Sequence, residues 1–81
     1  MKGKTLQKKI DKYTCKLGHN LICIRMEKGI SLSATSTDTG ISVYTLHNIE
    51  KGKYQHIRIL VLFRLAKYYH IMLSDLFEGM D

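Results

Sequence analysis

Glycine is the feature that most constrains how this chain can fold. Proline is absent, and the interior glycines Gly18, Gly29, Gly40 and Gly52 recur at intervals of 11 or 12 residues. Residues that reach left-handed backbone conformations at that spacing suit helices of two to three turns joined by tight turns. Between the glycines, apolar residues keep helical spacing. The expectation is an all-α fold of five short helices around one core. With 81 residues the chain can build one domain and one modest core, with little room for a buried catalytic cleft besides.

The first clear helix is expected over 17–28, with Leu17, Leu21, Ile24 and Met26 facing inward and Gly29 ending it. Upstream, Leu6, Ile10, Tyr13 and Leu17 also recur at helical spacing inside a lysine-rich stretch. Two readings stay open there, a frayed tail or extra turns, because Gly18 weakens a continuous helix. Ser31 is a good N-cap for a second helix over 32–39. "SLSATSTDTG" is nevertheless poor in apolar residues and in helix formers, and read alone it would be a loop. Ser42 caps a third helix over 43–51, terminated by Gly52. A loop over 53–57 leads to a fourth helix over 58–70, with Ile59, Leu62, Leu65, Ala66 and Tyr69 as its inward stripe. A last short helix is expected over 73–77. The organisation is then a basic extension (1–16), one helical domain (17–78) and a short tail (79–81).

Charge narrows the function. There are 13 Lys+Arg against 7 Asp+Glu, a formal charge of +6. That balance suits nucleic acid or an anionic membrane surface. The longest apolar run is "ILVLF", far short of the roughly 18 residues that would span a bilayer. No apolar stretch follows the first lysines, as a signal peptide would need, so a cytoplasmic protein is the default. Cys15 and Cys23, on one helix, would lie about 12 Å apart, too far for a disulfide. They read as reduced packing residues. No zinc site and no cofactor are expected. Ser, His and Asp occur outside any recognisable nucleophile motif, so an enzyme is not expected.

Two short helices meeting across "TGIS" have the local pattern of a helix-turn-helix. From Leu17 to Phe77 the chain resembles the Cro and phage-repressor helix-turn-helix family, also called the xenobiotic-response-element type. The matching pieces are "LGHNLICIRMEKGIS", "TGISVYTLHNIEKGK" and "LFRLAKYYHIMLSDLF", about three quarters of the chain. The resemblance implies a lambda-repressor-like DNA-binding domain whose third helix lies in the major groove of double-stranded DNA. The base-reading positions would be Val43, Tyr44, Thr45, His47 and Asn48. The amide of Asn48 suits bidentate pairing with adenine, and Val43 suits a thymine methyl. Phosphate contacts are expected from Ser31, Ser42, Lys51, Lys53 and Tyr54. Arg25 and Glu50 occupy the positions of a structural ion pair, and Glu50 would repel a phosphate, so its role is not catalytic.

The chain also departs from the family pattern. Leu32 stands where relatives usually have a glutamine that contacts phosphate. Thr35 and Ser36 stand where relatives have a Leu-Ala pair in the core, which puts the second helix in question. Gln55 and His56 replace a common Asn-Pro pair. The N-terminal lysines Lys2, Lys4, Lys8, Lys9 and Lys12 would reach along a duplex only through salt-sensitive, sequence-blind contacts. Leu60, Val61 and Phe63 lie off the inward stripe of the fourth helix. With Met72, Phe77 and Met80 they form an expected homodimer surface, the alternative being a thicker core against the N-terminal segment. The function that follows is a sequence-specific transcriptional regulator, most simply a repressor occupying an operator. The alternative is an antitoxin or anti-repressor of the same fold whose main partner is a protein.

Overall fold

The computed structural model describes residues 2–53 and 57–79, with side chains from residue 12 onward. Among the described residues the chain is all-helical: α1 (Lys2–Glu27), α2 (Leu32–Thr39), α3 (Val43–Glu50), α4 (Ile59–Tyr68) and a 3₁₀ helix (Leu73–Phe77). The bounds of α2 and of the final helix coincide with those read from the sequence. The first helix does not begin at Leu17. It runs unbroken from Lys2 through Gly18, and at 26 residues it is about 39 Å long. It sets the 42 Å long axis of a molecule 24 × 20 Å in section.

Gly18 explains both the continuity and the packing. A Cβ at Gly18 would lie 2.5 Å from the carbonyl oxygens of Ile49 and Glu50. The residue is therefore a contact point, where the backbone of α1 meets the last turn of α3, and not a helix break. Gly52 does the same from the other side. It adopts φ +71°, and a Cβ there would meet Cys15 Cα at 2.8 Å. Its left-handed turn lets the Lys53 N–H donate to Asn48 O at 2.9 Å and closes α3.

The core is a single cluster in which Leu17 and Leu21 of α1, Ile41, and Leu46 and Ile49 of α3 meet Leu62, Leu65, Ala66, Tyr69 and Leu76. Two expected members are absent. Met26 is 67% and Ile59 52% exposed, because Met26 belongs to the open last turn of α1 and Ile59 to the first residue of α4. Neither has a neighbouring helix over it. The side-chain amide of Asn20 donates to Leu76 O and Glu78 O at 2.9 and 3.0 Å, fastening the 3₁₀ helix to α1.

α2 forms although its residues favour a loop. Ser31 Oγ accepts from the Ala34 N–H at 3.0 Å, a standard N-cap. Gly40 (φ +77°) closes the other end by donating to Ser36 O. The helix is then held from α4 by polar side chains. Thr35 is fully buried and donates to Ser31 O at 3.1 Å. Its single proton being used there, its oxygen accepts from the Tyr69 hydroxyl at 3.3 Å. Tyr68 donates to the Asp38 carboxylate at 2.7 Å and Arg64 to Thr39 O at 3.3 Å. Thr35 thus takes a core position through hydrogen bonds where the resemblance implied an apolar side chain, and Ser36 is half-buried beside it.

Candidate nucleic-acid interface

The outward face of α3 is built by a cap, a twist and two buried anchors. Ser42 Oγ accepts from the Thr45 N–H at 3.1 Å and starts the helix. Leu46 and Ile49, 2% and 1% exposed, pin one side to the core. At about 100° per residue the remaining positions must then face out. Val43, Tyr44 and His47 are exposed; Thr45 and Asn48 are half-buried at the helix margin. Tyr44 is 74% and Val43 45% exposed. The Ser42 hydroxyl donates to Thr45 Oγ1 at 2.9 Å, so both hydroxyls are oriented before any ligand arrives. Among the described residues the Asn48 side-chain amide has no hydrogen-bond partner. It keeps a donor and an acceptor at the edge of an exposed helix face, which is the equipment for reading a base edge.

The orientation of that face is fixed by one ion pair. Arg25 Nε and an amino group donate to the two carboxylate oxygens of Glu50 at 2.8 and 3.1 Å, and the second amino group donates to Ile30 O at 3.0 Å. Their side chains are 17% and 9% exposed. The hydrogen bond that Arg25 donates to Glu50 raises the Arg25 pKa further, against a smaller opposing effect of burial. The planar guanidinium therefore joins three elements: α1, the end of α3 and the turn before α2. Bidentate geometry makes this an angular constraint as well as an attraction.

Around α3 stand the expected phosphate contacts. Ser31 and Ser42 are exposed N-caps of α2 and α3, and Lys51 and Lys53 are exposed on either side of Gly52. Tyr54 lies outside the described residues. Several contacts were not foreseen in the sequence. Thr14 donates to Gly52 O at 3.3 Å, so α1 buttresses the turn between the two lysines. Cys15 and Cys23 are free and exposed rather than core residues, although Cys15 is the point of α1 against which Gly52 packs. His19 lies four residues from each, and its Nε2 is 3.5 Å from Cys23 Sγ. The i, i+4 spacing of Cys15, His19 and Cys23 was the signal for that contact. Among the described residues no three His, Cys, Asp or Glu side chains converge as metal ligands.

Leu60, Phe63, Met72 and Phe77 are exposed, at 72, 51, 72 and 38%. Val61 instead packs against the core, and Met80 lies outside the described residues. Among the described residues no helix is long and apolar enough to cross a membrane.

Two short helices joined by a glycine turn, the second rigidly mounted with an open polar face, define a helix-turn-helix DNA-binding domain. The chain belongs to the family of the Cro/C1-type HTH DNA-binding domain, whose model matches residues 20–80. Among solved structures it is similar to the restriction-modification controller protein C.AhdI from Aeromonas hydrophila, with a TM-score of 0.74 and 23% identity. The match covers 79% of this chain and 96% of that one. At that identity the likeness shows a shared fold. The comparison with curated proteins found no match.

Proposed function

We propose that this protein is a sequence-specific transcriptional regulator of the cytoplasm, acting as a homodimeric repressor by operator occupancy. The observation that carries the reading is the α3 face. Asn48 offers an amide with no partner among the described residues, beside Tyr44, Val43 and His47, on a helix fixed by Arg25 and Glu50. Pre-positioned donors and acceptors reach base edges without reorganising, which favours sequence readout over generic attraction. The shared fold with a restriction-modification controller supports the same reading. Dimerisation is supported by the exposed Leu60 and Phe63 of α4 with Met72 and Phe77. A second copy there would present two recognition helices to half-sites about 34 Å apart.

The test is selection of sites from a pool of random duplexes with the full chain, repeated with Asn48→Ala. The expected product is a two-fold-symmetric site containing adenine in each half. Asn48→Ala relaxes discrimination at one position per half-site by about 1–3 kcal/mol. A pool with no enrichment refutes sequence-specific regulation and promotes the reading in which a protein, not DNA, is the main partner.

A further inference from the structure

The net charge is not spread over the molecule. Residues 1–16 hold six lysines and one acid, Asp11, whereas residues 17–81 hold seven Lys+Arg and six Asp+Glu. Residues 20–80, which carry the family's helix-turn-helix, hold seven Lys+Arg against five Asp+Glu and are close to neutral. Phosphate neutralisation supplies the sequence-blind part of DNA affinity. A near-neutral domain has little of it beyond its own few contacts.

These lysines follow one another along a continuous helix that is seated on the domain near its middle. α1 meets the turn after α3 at Thr14 and Cys15: the Thr14 hydroxyl donates to Gly52 O at 3.3 Å, and the Gly52 backbone lies against Cys15 Cα. Gly52 separates Lys51 from Lys53. N-terminal to that contact, α1 continues as helix to Lys2, and Lys12 and Tyr13 are already exposed. By helical register Lys4, Lys8 and Lys12 occupy successive i, i+4 positions, and the row arrives three residues later at Cys15. Each step along it is about 6 Å.

We infer that the N-terminal half of α1 is a helical outrigger that extends the phosphate-binding track of Lys51 and Lys53 through Lys12, Lys8 and Lys4. It binds the sugar-phosphate backbone of the duplex beyond the segment read by α3. This rests on the DNA-binding reading above and adds to it the source of most of the non-specific affinity. The partner is duplex DNA and not an anionic membrane, because the row runs into the turn that follows the recognition helix. A continuous helix also makes a different prediction from a flexible basic tail, since its contacts recur at helical spacing along the duplex.

The test is the salt dependence of binding to the selected duplex, for wild type and for Lys4→Gln/Lys8→Gln/Lys12→Gln. Glutamine keeps the helix propensity of lysine. With about 0.9 counterions released per phosphate, losing three contacts lowers the slope of log affinity against log salt by about 2.7. Wild type then loses about 40-fold more affinity than the variant between roughly 50 and 200 mM salt. A hydroxyl-radical footprint of the variant loses protection at backbone positions next to those of Lys51 and Lys53 and keeps the rest. Helix content followed by circular dichroism shows whether the variant is folded. Should the triple variant melt early, Lys8→Gln alone is measured for a slope change of about 0.9. An unchanged slope and footprint, with site-specific binding retained, overturn the outrigger and leave the proposed function standing. Failure of the wild type itself to bind duplex DNA overturns both. Wild-type capture by vesicles rich in phosphatidylserine, with no slope change on DNA, overturns the outrigger in favour of a membrane surface.

Discussion

Gly18→Ala sets two effects of opposite sign against each other. Gly18 sits inside a 26-residue helix, where alanine is normally better than glycine by about 1 kcal/mol. Here the new Cβ would lie 2.5 Å from the Ile49 and Glu50 oxygens and 2.8 Å from the Glu50 carbonyl carbon. All three are backbone atoms of the last turn of α3, so no rotamer change relieves them. To bring the contacts out to 3.0 Å, the closest that real Cβ atoms come, α3 must retreat by about half an ångström. A gap of that size forfeits about a quarter of each dispersion contact across the seam. The seam contains Leu17, Leu21 and Ile49, which are 5, 2 and 1% exposed. Overpacking costs about 1–3 kcal/mol, and three backbone clashes place this case near the top. The expected net loss is about 2 kcal/mol. Equilibrium urea unfolding of the full chain measures it. With a slope of about 1 kcal/mol per molar for so small a protein, the midpoint falls by about 2 M. A Gly18→Ala variant as stable as wild type, or more so, would refute the argument. The α1–α3 seam would then be soft, and helix propensity would decide.

Glu50→Gln leaves the Arg25 charge half-buried with a neutral partner, and unfolding measurements should show a loss of about 3 kcal/mol. Arg25→Met combined with Glu50→Leu should recover most of it, because no charge is then stranded. Thr35→Val removes the acceptor of the Tyr69 hydroxyl and should cost about 1–2 kcal/mol; a double-mutant cycle with Tyr69→Phe should show the double variant losing less than the sum of the singles. Burial holds the Tyr69 hydroxyl above its ordinary value of 10.0. The unfolded chain therefore ionises first, so stability contributed by Tyr69 is complete below about pH 10 and falls as pH rises beyond it; Tyr69→Phe should weaken that alkaline dependence in denaturation curves. Leu60→Glu with Phe63→Glu should give the monomer mass by sedimentation equilibrium while leaving the melting of helix almost unchanged, since both side chains are exposed; a wild type that is itself monomeric sinks the dimer.

The legible part of the fold was the part in which local and global signals agree. Ser31, Gly40, Ser42 and Gly52 are caps and stops whose effect is set within one turn, and α2 and α3 begin where the capping serines place them. The inward stripe of α4 was legible for the same reason, except at Ile59, because periodicity cannot say where a helix loses its neighbours. What the sequence hid was carried by long-range contacts between residues of poor local meaning. Thr35 reads as a weak helix former, and only Tyr69, 34 residues away, makes it a satisfied core residue. Gly18 reads as a helix breaker under propensity alone. In the structure the same missing side chain lets α1 and α3 approach, and the two readings predict opposite signs for one substitution. The candidate site divides along the same line. The Arg25–Glu50 pair came from a family resemblance and is present in the structure. The contact of Thr14 and Cys15 with the turn after α3 had no local signature at all. That contact seats α1 against the turn after α3, so a stretch that reads as a basic tail is instead the first half of a helix packed on the domain.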